Sequence, residues 1–124
     1  MLNNLKSTLE LLDLSNNCLN AIPAQTLRNS PALTYLSLSH NQIEQITSMQ
    51  FMNLPNLIEL RLNQNKIARI QASGFMNVPR LKQLFLQNNS LSAIDPGTLM
   101  NFKELELIDL GSNLFARVGG LNYR

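Results

Sequence analysis

A ruler of 24 residues laid on Leu9 lands on Leu33, Leu57, Leu81 and Leu105 without insertion or deletion. Each landing opens the same phrase: LELLDLSNNCL, LTYLSLSHNQI, LIELRLNQNKI, LKQLFLQNNSL and LELIDLGSNLF. The template is LxxLxLxxNxL, with Leu, Ile or Phe in its last place. The register runs on through Ile22, Ile46, Ile70, Ile94 and Val118, then through Leu27, Phe51, Phe75 and Leu99. Asn29, Asn53, Asn77 and Asn101 follow, and Pro31, Pro55 and Pro79 close three repeats where Lys103 closes the fourth. A unit this short cannot bury its own apolar residues, so a fixed period demands a stacked array in which each copy covers the next.

Local chemistry sets the form of each copy. Alternation such as Leu12-Asp13-Leu14 predicts a short strand with the leucines on one side and the aspartate on the other. Identical strands stacked in order are parallel, and parallel strands need a crossover. The second half of each repeat supplies it, and its Pro and Asn content predicts a turn or short 3₁₀ segment around FMNLP and FMNVP, not a long helix. Crossovers are wider than the strand spacing of about 4.8 Å, so the array curves with its strands inside. The expected fold class is an α/β-type solenoid: short parallel strands on the concave face and turns or 3₁₀ segments on the convex face. A single domain over 1–124 is expected, with repeats from 9, 33, 57, 81 and 105. Leu2 and Leu5 read as the tail of one more repeat, one residue out of register.

Asparagine is over-represented, at 17 residues beside 25 leucines, and five of them form the column Asn17, Asn41, Asn65, Asn89 and Asn113. After each strand the chain turns inward and leaves backbone groups unpaired. A buried amide with donors and an acceptor can serve its own turn and the adjoining repeat together. These five are read as a structural ladder.

The template and its asparagine column resemble the leucine-rich repeat family, across Leu9 to Val118. The 24-residue length, with Leu27, Phe51, Phe75 and Leu99 at one apolar position, resembles the "typical" subclass. Ribonuclease-inhibitor repeats are longer and bacterial effector repeats shorter. The resemblance implies an extracellular or membrane-anchored parent: a receptor, an adhesion protein or a matrix protein. It also implies cysteine-rich flanking caps, and no such unit is recognisable here, so the expectation is a segment of a longer array.

Composition narrows function further. Charged residues are 15% and hydrophobic residues 44%, which disfavours disorder. A net charge of +2 gives no reason to expect nucleic acid. One cysteine excludes an internal disulfide framework and a multi-cysteine metal site, and one histidine excludes a histidine pair for metal or relay chemistry. No apolar run reaches the roughly 18 residues that span a bilayer, and MLNNLKSTLE has no signal-peptide pattern. Any membrane attachment is expected only through further parts of a parent chain. Phosphate-loop, zinc-protease and nucleophile-elbow motifs are missing. Asp13 and Asp109 share a template position but lie four strands apart, roughly 19 Å, too far to work as a pair. No enzyme activity and no cofactor are expected.

Function then falls to the variable strand positions. One outward column is Leu11, Tyr35, Glu59, Gln83 and Leu107; the next is Asp13, Ser37, Arg61, Phe85 and Asp109; Ser15, Ser39, Asn63, Gln87 and Gly111 lie just beyond the strand. Together they make an open mixed surface suited to a protein ligand, whereas small molecules favour concave apolar pockets. Aromatic residues and arginine dominate such interfaces, which points to Tyr35, Glu59, Arg61, Gln83, Phe85 and Gln87. Glu59 and Arg61 sit two apart and can simply pair. His40 reads as a solvated polar residue and Cys18 as a free surface thiol. Asn88-Asn89-Ser90 has the N-glycosylation pattern, which chance alone explains. Met52, Met76 and Met100 read as convex-side packing. The alternatives are an intracellular scaffold or a purely structural stretch of a longer array.

Overall fold

The computed structural model describes residues 7–28, 30–115, 117–118 and 121–122. Leu2, Leu5, Asn29, the Val118 side chain and most of GGLNYR lie outside the described residues.

Each template phrase forms a three-residue strand: β1 (Leu11–Asp13), β2 (Tyr35–Ser37), β5 (Glu59–Arg61), β8 (Gln83–Phe85) and β9 (Leu107–Asp109). They make one parallel sheet in the order β1-β2-β5-β8-β9, and each partner is 24 residues on, as in Leu36↔Leu60↔Leu84. The chain is an α/β-type solenoid, as the period requires. Leu36, Leu60 and Leu84 are fully buried in one row, with Leu38, Leu62 and Leu86 in a second. Each fully buried side chain of this size contributes roughly 1.5–3 kcal/mol.

The crossovers are more regular than expected. Gln45–Ile46 (β3) pairs in parallel with Arg69–Ile70 (β6). FMNLP and FMNVP are not 3₁₀ turns: Phe51–Met52 (β4) pairs in parallel with Phe75–Met76 (β7), and a 3₁₀ turn, Ala72–Gly74, precedes β7. The reason is packing across repeats. The Phe51 and Phe75 rings stack, which holds both backbones extended side by side. In the flanking repeats the stretch leading into this position is a helical turn, α1 (Ala24–Leu27) and α2 (Pro96–Leu99). Each starts at a proline: Pro23 is the N-cap of α1, and Pro96 is the first residue of α2, where its fixed φ suits a helix. The central repeats have Thr47-Ser48 and Gln71-Ala72 there. Arg117–Val118 (β10) and Leu121–Asn122 (β11) form a small antiparallel pair.

Two apolar expectations need correction. Thr98, not Leu99, is the fully buried residue of α2, whereas Leu27 at the equivalent position of α1 is buried. Phe102 fills the gap instead, edge-on to Phe75 with ring centroids 5.1 Å apart. The methionines are not a packed strip either: Met76 is exposed and Met100 is 81% exposed.

Candidate functional site

The sheet's outer face is built by alternation. With Leu36, Leu60 and Leu84 turned inward, their neighbours must turn outward. Tyr35, Glu59 and Gln83 are in register in one row, and Ser37, Arg61 and Phe85 in the next. The sheet therefore brings five of the six expected docking residues onto three adjacent strands. Gln87 follows just past the end of β8.

Arg61 organises the centre. It forms an ion pair with Glu59 on its own strand, and its guanidinium carbon lies 4.6 Å from the centroid of the Phe85 ring on the neighbouring strand. Carboxylate and ring together fix a long side chain in one place, and 41% of that side chain is still exposed to solvent. An exposed ion pair is worth under about 1 kcal/mol, and a cation–π contact of this type adds about as much. Phe85 is half-buried, propped by the arginine.

The face is not uniformly open. Ser37 and Ser39 are buried, and their hydroxyls lie 3.1 Å apart within hydrogen-bonding reach. Two amide oxygens in adjacent repeats, Asn63 Oδ1 and Gln87 Oε1, are buried without a hydrogen-bond partner. Sequence reasoning placed them in an exposed row and missed this; the signal was their shared template position beside Arg61 and Phe85.

Below the face runs the asparagine ladder. The Asn65 side chain accepts the Ile43 backbone N–H at 3.0 Å and donates to the carbonyls of Leu38 (3.0 Å), Leu62 (3.1 Å) and Asn63 (3.3 Å). Asn41, Asn89 and Asn113 repeat this pattern. Asn17 is exposed and, among the described residues, bonds to its own turn at Leu14 O and Ser15 O. The preceding residue in each repeat has a positive φ: Asn16, His40, Gln64, Asn88 and Ser112 lie between 53° and 59°. That left-handed position turns the chain inward, and its enrichment in Asn and His follows from their tolerance of it. The backbone N–H groups of the first four donate to the next repeat, His40 to Asn63 O for example at 3.1 Å. His40 and Asn88 therefore hold turn positions while their side chains face solvent.

Acidic residues at the ends of the outer row serve the turn as well. Asp13 Oδ1 accepts from the Ser15 hydroxyl and backbone N–H, and these two bonds hold its carboxyl below the ordinary carboxylate range. Asp109 Oδ1 likewise accepts from Gly111 N–H at 3.0 Å. Cys18 is an exposed free thiol. Among the described residues no cluster of His, Cys, Asp or Glu could hold a metal ion, and no helix is long and apolar enough to cross a membrane.

A family model described as "Leucine rich repeat" matches residues 3–43, 41–90 and 55–115. No curated protein matches the chain. Among solved structures, human 5T4 (Wnt-activated inhibitory factor 1, trophoblast glycoprotein) superposes with a TM-score of 0.61 at 17% identity, over 91% of this chain and 55% of that one. At that identity the likeness concerns the fold, and the chain spans about half the length of its neighbour.

Proposed function

Because the chain belongs to the leucine-rich repeat family, whose domains generally bind proteins, we propose that it is a non-catalytic module that takes a protein ligand on the concave outer face of its five-stranded sheet. Tyr35, Glu59, Arg61, Gln83, Phe85 and Gln87 make the contact. The observation that carries this reading is the Arg61–Phe85 pair: an arginine and an aromatic ring, prearranged at 4.6 Å and open to solvent at the centre of the face. These residue types supply most hot spots, and a side chain already held in place loses less entropy on binding. The parent is a receptor or adhesion protein at the cell surface, a reading supported by the fold shared with a trophoblast glycoprotein.

A displayed library of random peptides selected against the immobilised chain tests it. Binders should be lost in Tyr35→Ala, Arg61→Ala and Phe85→Ala, and kept in Arg69→Ala and Met76→Ala on the crossover side. Selected peptides that ignore all three sheet-face changes would overturn the assignment.

A further inference from the structure

The sheet face has the opposite sign to the chain. Its ten outward strand positions hold three carboxylates, Asp13, Glu59 and Asp109, and one guanidinium, Arg61, a net of −2 where the whole chain is +2. Glu59 and Arg61 cancel each other. Asp109 forms no ion pair among the described residues; one oxygen serves the Gly111 N–H and the other is unspent.

The surroundings of Asp109 suit a cation. Phe85 is its register partner on β8. Arg61 reaches that ring from β5, and β9 lies on the opposite side of β8. Two residues along the same strands, Gln87 carries an amide oxygen with no donor. The next repeat has Gly111 in the equivalent place, where an added Cβ would meet only Asp109 Oδ1 within 4 Å. The β8–β9 end of the face thus offers a notch in which a carboxylate and an aromatic residue are register partners, beside a glycine where the other repeats carry a side chain.

We propose that this notch receives a lysine or arginine side chain of the docking protein, so that the partner presents a basic segment to the sheet. The inference rests on the docking reading above and adds the chemistry of the partner. The free carboxylate oxygen accepts a charge-assisted hydrogen bond, the Phe85 face attracts the cation, and Gln87 can turn its oxygen to a further N–H. An acidic segment would meet Asp109 unscreened, and the one cation on the face is already neutralised.

The notch is tested by titrating the labelled chain with N-acetyl-arginine amide, whose only charge is the guanidinium, and following backbone amide NMR shifts. Shifts at Phe85, Gln87 and Gly111 are expected, with binding about tenfold weaker in Asp109→Asn, a change that keeps an acceptor for the Gly111 N–H. No shift at these amides, equal binding by Asp109→Asn, or the same response to N-acetyl-glutamate amide would overturn it. The peptide selection separates the two readings. Binders that need Phe85 and Arg61 but lack basic residues and ignore Asp109→Asn sink the notch and leave the docking face standing. Binders that map elsewhere sink the docking face, while the arginine titration still decides the notch.

Discussion

The Phe51 and Phe75 rings, one repeat apart, lie stacked with centroids 5.2 Å apart and planes only 7° from parallel. The stack sits beneath the β4–β7 pair and continues edge-on into Phe102. Three repeats are thus joined through one aromatic column. Phe75 is central to it, so Phe75→Ala should cost about 3–5 kcal/mol, the range for a buried phenylalanine. Met100→Ala, at an exposed apolar residue in the same region, should stay within about 0.5 kcal/mol. Urea denaturation of the two variants measures the difference, and similar losses would show that the column is not a shared core.

The ladder makes a second demand. Replacing Asn65 by alanine strands the Ile43 N–H, while the carbonyls of Leu38, Leu62 and Asn63 lose one donor but keep Asn41 Nδ2, Asn89 Nδ2 and the His40 N–H. A loss of about 1–3 kcal/mol is expected, against almost none for the exposed neighbour Lys66→Ala. Hydrogen exchange should also quicken at Ile43, in the preceding repeat, because its amide is the one that loses its acceptor. Unchanged protection there would separate the ladder from inter-repeat stability.

Gly74 tests close approach without backbone strain. Its φ is not in the left-handed region, but an added Cβ would lie 2.7 Å from Ile46 Cγ2 and 3.1 Å from the Thr47 carbonyl oxygen. Gly74→Ala should destabilise by about 1–3 kcal/mol through overpacking. In an Ile46→Ala background the added penalty should shrink, since the nearer obstacle is gone. Additive losses in the double-mutant cycle would remove the steric account.

Asp13 gives a pH test. Hydrogen bonds from Ser15 lower its folded pKa below the ordinary value. A lowered carboxyl pKa contributes stability that is present above the unfolded value and is lost as pH falls through the folded one. The contribution should therefore fade only in strongly acidic solution. An NMR titration should place the Asp13 midpoint below that of a free aspartate, and Ser15→Ala should raise it. An unmoved midpoint in Ser15→Ala would mean the hydroxyl is not the main cause.

How far the outer face of the sheet could be read from the chain differs residue by residue. The 24-residue spacing alone places Tyr35 beside Glu59 and Arg61 beside Phe85, because a period maps onto a neighbour in a stacked array. It cannot say that Arg61 folds over the ring while still holding Glu59, which depends on side-chain torsions. Nor could it show that Ser37 is buried in an outward row. His40 was legible as a solvated residue, but its left-handed backbone was not, since one such residue could sit in several loop conformations.

Periodicity by itself determined the parallel strand order, the register, the leucine rows and the asparagine column, because repeats that cannot bury their own apolar side chains must stack in the one alignment that matches like with like. The crossovers were decided only in three dimensions. Phe51 and Phe75 drew their backbones into a strand pair, proline turned the flanking repeats helical, and Thr98 displaced Leu99 from the core. Those segments have weak intrinsic preferences, so the packing of the neighbouring repeat selected the conformation that the local sequence left open.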